Sequence, residues 1–122
     1  KKTAKAAPRT ERLLVARIRD DAGRTLLRRR PATGLLANFW ELPFVPDDGA
    51  DPVADFATAG LDLTLGAPLG EARHVFTHRL WILRVVDARL TREPAPDARC
   101  NWFDDPHDAT LPKAFSRLLE FK

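Results

Sequence analysis

Ten prolines distributed along 122 residues constrain this chain more than any other feature. Proline interrupts helices and cannot donate to the ladder of a central strand, so the segments between prolines must be short elements joined by turns and loops. Loops and edges are therefore expected more than long helices. The length suits one domain, and with 44% hydrophobic and 30% charged residues the composition is globular, able to bury roughly two thirds of its unfolded surface around a single core.

Between these breaks the apolar residues mostly follow a strand period. Residues 12–20, with Leu13 and Val15, read as a strand; Asp20-Asp21-Ala22-Gly23 supplies turn chemistry, and residues 25–30 read as the second strand of a hairpin. Residues 39–43 form a short strand ended by Pro43, and residues 44–51 a loop. A short helix is expected over residues 52–59, with Asp51 as N-cap, Pro52 at the first position, Val53 and Phe56 on one face and Gly60 at the C-terminal cap. Leu61, Leu63 and Leu65 alternate as a strand, and residues 71–76 and 79–88 flank a tight connection at Thr77-His78. Residues 100–103 return as a strand. Leu111, Phe115, Leu118 and Leu119 have helical spacing over residues 111–121, with Pro112 near the start. The expected class is α+β, a mixed β-sheet sandwich with one short helix and one C-terminal helix. Trp40, Trp81 and Trp102 are assigned to packing.

Cys100 is the only cysteine, which excludes an intramolecular disulfide and a multi-cysteine zinc site and suggests a cytoplasmic setting. His74, His78, His107 and Cys100 show no recognised ligand spacing, so no metal is expected. No apolar run approaches the ~20 residues that span a bilayer, and no signal region follows the basic start, so no membrane partner is expected. Net charge is +3, but Lys1, Lys2, Lys5, Arg9 and Arg12 against Glu11 place +4 on residues 1–12 and leave −1 on the remainder. Residues 1–11 read as a basic connector, with residues 1–10 disordered or loosely attached. This connector is either a solvated linker or a phosphate-tracking segment. Such a beginning suggests a piece of a longer protein, with residues 12–122 as the folded domain.

The run Trp40-Glu41-Leu42-Pro43 followed by residues 52–60 resembles the strand and helix of Nudix hydrolases. In that family the helix carries R-E-x-x-E-E-x-G, because several carboxylates must converge on hard divalent cations that bind a diphosphate. Here Gly60 persists, but Ala57 and Thr58 stand where the paired glutamates would be. Asp51 and Asp55 read as a cap and a solvated carboxylate, so no catalytic residue is assigned.

A wider resemblance covers nearly everything after Arg12. The order Leu26-Leu27-Arg28-Arg29-Arg30-Pro31, Gly34-Leu35-Leu36-Ala37-Asn38-Phe39-Trp40-Glu41-Leu42-Pro43, His74-Val75-Phe76-Thr77-His78, Trp102-Phe103 and Leu111-Pro112-Lys113-Ala114-Phe115 resembles the C-terminal domain of MutY-type adenine DNA glycosylases. The resemblance implies a Nudix-like fold that recognises 8-oxoguanine opposite adenine in double-stranded DNA. It also implies a connector to a catalytic domain of the same chain, where adenine is excised and an iron–sulfur cluster is held. One cysteine cannot hold such a cluster, so no cofactor is expected within these residues. The family's Phe-Ser-His lesion loop falls on Phe76, Thr77 and His78, with threonine keeping the hydroxyl. Phe44-Val45 stands where glycines often follow the strand.

The chemistry of that loop has its own logic. Oxidation turns guanine N7 into an N–H donor and adds an acceptor oxygen at C8, so a reader needs an acceptor and a donor side by side. A hydroxyl beside a backbone N–H supplies both. For Thr77 the alternative is an ordinary turn hydroxyl, and for Phe76 core packing stands against stacking on DNA. Arg28, Arg29 and Arg30 alternate along a strand, as a solvated edge or as phosphate contacts; Arg28, Arg30 and Arg79 complete the candidate DNA-binding set. The rival functions are a Nudix hydrolase of oxidised nucleotides and a protein-docking module.

Overall fold

The computed structural model describes residues 9–121; Lys1, Lys2 and Lys5 of the basic connector lie outside the described residues. Two sheets carry the expected α+β sandwich. One is four-stranded, in the order β4-β1-β6-β5, and the other three-stranded, β3-β2-β7. The centre of the first sheet is a parallel pair, β1 (Arg9–Ile18) against β6 (Arg79–Leu90), in register from Arg9↔Arg79 to Ile18↔Ala88. A parallel pair is stable where both faces are covered. Here the side chains of the two strands alternate between two clusters. Leu13, Val15, Trp81, Leu83 and Val85 enter one, with Phe115 and Leu118. Leu14, Ala16, Ile18, Val86 and Ala88 enter the other, with Phe56 and Leu61. Arg9, Thr10 and Glu11, which composition places in the connector, already belong to β1.

The first hairpin does not form. β2 (Thr25–Arg29) belongs to the second sheet, beside β3 (Trp40–Glu41) and β7 (Cys100–Phe103), and only an isolated bridge, Arg19↔Thr25, joins it to β1. The turn itself is as expected: the Asp20 carboxylate accepts from the N–H groups of Ala22 (3.1 Å) and Arg24 (2.8 Å). Turn chemistry reverses the chain but does not choose the hydrogen-bonding partner. Leu26 faces the same cluster as Leu14 and Ile18, so the strands stack across the core instead of pairing side by side. The expected loop over residues 44–51 also needs correction, because it contains β4 (Phe44–Pro46), antiparallel to β1 at Leu13–Val15. An outer strand tolerates the flanking prolines because one row of its backbone groups needs no partner.

Helix α1 (Pro52–Thr58) matches its signals. Asp51 caps it through the N–H groups of Val53 (3.1 Å) and Ala54 (3.3 Å). Gly60 turns out of the helix at φ +90°, where a Cβ would lie 3.0 Å from that of Ala95. Phe56 is fully buried, whereas Val53, expected on the same face, is 40% exposed.

The strand expected over residues 61–65 and that over residues 71–76 are one element. β5 (Leu63–Val75) passes through irregularities at Leu65/Pro68 and Pro68/Gly70, which admit the proline without ending the strand. The C-terminal helix is shorter than expected: α2 (Lys113–Ser116) passes into a 3-10 turn, Arg117–Glu120. Ala114, Phe115 and Leu118 are still buried, and the Arg17 guanidinium donates to the Phe121 carbonyl where the turn ends. Among the described residues no helix is long and apolar enough to cross a membrane.

Candidate nucleic-acid interface

β5 and β6 are joined through Phe76, Thr77 and His78, with Thr77-His78 at the tip. The Phe76 N–H donates to the Arg79 carbonyl (2.7 Å), closing the hairpin, and the Arg9 N–H donates to the His78 carbonyl (3.1 Å), tying its tip to the start of β1. Thr77 and His78 are exposed, as is Val75 at 70%. Phe76 is half-buried: its ring meets Trp81 edge-on at 4.9 Å and His74 at 4.7 Å between centroids. Of its two sequence readings, the packing one describes its position. Arg79 is held by Glu11 (3.1 Å), whose same oxygen accepts from the Trp81 indole (3.0 Å). The tip is therefore a short polar turn on a rigid aromatic base.

Burial, reinforced by the charges of Arg117 and Lys113, pushes the His74 imidazole below its ordinary range. These two cations on α2 and its 3-10 extension, together with Arg73 on β5, are neighbours that sequence reasoning missed. The available signal was the Lys113-to-Arg117 spacing, one helical turn.

The structure brings Phe76, Thr77, His78 and Arg79 together but leaves Arg28 and Arg30 inside the sandwich. Both guanidiniums bind Glu41 at 2.7 Å, with side-chain exposures of 15% for Arg28, 14% for Arg30 and 4% for Glu41. Arg28 also covers the Phe44 ring and Arg30 the Trp81 ring, at 5.3 and 6.0 Å from the centroids. Phe44 and Val45, standing in place of glycines, are packing residues: Phe44 stacks on Phe115 at 6.0 Å and Val45 is buried.

On α1, Ala57 and Thr58 are exposed, and the Thr58 hydroxyl returns to the Ala54 carbonyl (3.1 Å). Asp51 is committed to capping. Among the described residues no three His, Cys, Asp or Glu side chains gather to hold a metal ion. Cys100 is half-buried, and burial pushes its thiol up to about 11.

This arrangement of two sheets and a capped helix agrees with the Nudix domain model, which matches residues 14–121. The chain belongs to the Nudix domain family. Its solved neighbours include the C-terminal domain of mouse MUTYH in complex with human PCNA, at 21% identity and TM-score 0.67 over 89% of this chain and 84% of that one. They also include the MutT Nudix hydrolase of Burkholderia pseudomallei (24%, TM-score 0.69, 93% and 98% covered) and the MutT protein of Methanosarcina mazei Go1 (22%, TM-score 0.72, 93% and 91%). These likenesses establish the fold.

Proposed function

We propose that this chain is the lesion-recognition domain of a MutY-type adenine DNA glycosylase, reading 8-oxoguanine opposite adenine in duplex DNA. The observation that carries this reading is the tip itself: an exposed hydroxyl and imidazole on a short turn, anchored by Phe76 on Trp81 and by Arg9 on His78. Thr77 Oγ accepts from the lesion's N7–H while a backbone N–H of the turn donates to the C8 oxygen, a pairing that plain guanine does not return. Adenine excision belongs to a separate catalytic domain, which would also hold the iron–sulfur cluster. The helix α1 supports a non-hydrolytic role, since Ala57 and Thr58 offer no carboxylate to a diphosphate-bound cation.

The test compares binding of the protein to duplexes carrying 8-oxoguanine:adenine and guanine:adenine. Thr77→Val keeps the shape and removes the acceptor, a cost of ~1–3 kcal/mol, so preference for the lesion should fall about fivefold to a hundredfold. An unchanged ratio in a folded variant rejects the reading. Magnesium-dependent turnover of 8-oxo-dGTP, lost on Asp51→Ala or Asp55→Ala, would establish the hydrolase alternative. A docking role draws on one observation, that the mouse MUTYH domain was crystallised in complex with PCNA. Protein capture with indifference to damaged DNA would favour it.

A further inference from the structure

β5 is the outer strand of its sheet, and Arg117 reaches its open edge to donate to the Arg73 carbonyl. Lys113 lies one turn earlier on the same face, its carbonyl accepting the Arg117 N–H. Arg73, Lys113 and Arg117 are all exposed. Among the described residues none of the three takes part in an ion pair, nor do Arg9 and Arg12 on β1, whereas Arg79 is engaged by Glu11 and Arg84 by Asp47. Glu71 stands opposite Arg84 in register, so its charge is also directed there. At the far end of the sheet the cations are matched, Arg17 and Arg19 by Asp87, Arg89 by Asp21 and Arg92 by Asp62.

Charge is thus polarised along a domain whose sequence beyond residue 12 carries −1 in total. Like charges one helical turn apart, as Lys113 and Arg117 are, oppose the helix by a few tenths of a kcal/mol. Among the described residues no carboxylate forms an ion pair with either. Their position beside His74 puts them along the edge that leads to the exposed tip.

We propose that Arg73, Lys113 and Arg117 form a rim that binds the sugar-phosphate backbone of duplex DNA next to the base read at the Thr77-His78 tip; the rim's placement rests on the reading of the tip given above. Phosphate contacts of this kind position a protein without reading sequence, and each releases counterions, so affinity falls with salt at a slope of about −0.9 per contact.

The experiment is fluorescence anisotropy of the protein with a labelled DNA duplex, carrying either 8-oxoguanine:adenine or guanine:adenine, between about 50 and 200 mM salt. Three phosphate contacts account for about 40-fold of the affinity lost across that range. The triple variant Arg73→Ala, Lys113→Ala, Arg117→Ala should therefore show a slope flatter by about 3 and weaker low-salt binding, equally for both duplexes. Lys113→Ala alone, at an exposed position, should flatten the slope by about 1. Arg73→Lys with Arg117→Lys should keep the wild-type slope.

A wild-type slope in the folded triple or in Lys113→Ala overturns the rim, as does absence of DNA binding by the wild type at the lowest salt. Tighter binding to an RNA duplex of the same sequence assigns the surface to RNA and also overturns it. If Thr77→Val leaves lesion preference intact while the rim variants flatten the slope, the tip reading fails and the rim stands. The converse result removes the rim alone.

Discussion

Replacing Glu41 by glutamine removes the one negative charge between Arg28 and Arg30 while keeping the shape of the side chain. Both arginines bind its carboxylate at 2.7 Å, and all three side chains are at least 85% withdrawn from solvent. The wild-type cluster carries +1; the variant would carry +2 in a place where water cannot screen it well. Breaking a buried pair from one side costs about 3–5 kcal/mol, and the residual exposure of the arginines argues for the lower end. With an unfolding entropy of about 2 cal/mol/K per residue, a loss of ~3 kcal/mol lowers Tm by about 10 °C in a domain of this length. Thermal unfolding followed by circular dichroism measures it. The companion variant, Glu41→Leu with Arg28→Met and Arg30→Met, removes all three charges and should melt near the wild type, because desolvation offsets most of the attraction in such clusters. A Glu41→Gln variant melting within about 2 °C of wild type, or a triple variant less stable than Glu41→Gln, refutes the assignment of Arg28 and Arg30 to internal packing.

Phe56→Ala should cost about 3–5 kcal/mol in urea unfolding, since the ring is fully buried among residues of both sheets; a loss under about 1 kcal/mol would mean that α1 does not close that cluster. Asp51→Ala removes the cap of the same helix and should cost about 1 kcal/mol, with Asp51→Asn recovering most of it. Cys100, whose thiol is pushed up to about 11 by burial, should react with iodoacetamide at pH 8 about two orders of magnitude more slowly than an exposed cysteine; alkylation at the free-thiol rate contradicts that burial. His74 titrates below the ordinary imidazole range because of burial and the charges of Arg117 and Lys113. The native state therefore holds that proton more weakly than the unfolded chain, and the stability from neutral His74 is complete above about pH 6.5 and lost as pH falls through the folded value. His74→Gln should lack that loss, and an NMR midpoint at or above the ordinary value would reverse the sign.

The elements most legible in the sequence were those whose signals are local. Asp51, Pro52 and Gly60 specified both ends of α1, because a cap, a fixed φ and a left-handed exit act within a few residues. Thr77-His78 located the hairpin tip in the same way, as Asp20 to Gly23 located a turn. What the strands on either side of that turn pair with was decided by the tertiary structure. The largely apolar runs Leu13 to Ile18 and Thr25 to Leu27, buried throughout, are equally satisfied by a hairpin or by two stacked sheets, and the shared cluster of Leu14, Ile18 and Leu26 selects stacking. The same limit applies to charge. Three successive arginines at the end of β2 and just beyond it look like a basic edge until Glu41, thirteen residues after Arg28, is brought against two of them. Arg73, Lys113 and Arg117 are scattered in sequence and become one surface only when α2 packs beside β5. Local backbone chemistry is written into neighbouring residues, whereas the pairing of strands and the neutralisation of charges depend on partners that only the packed core brings within reach.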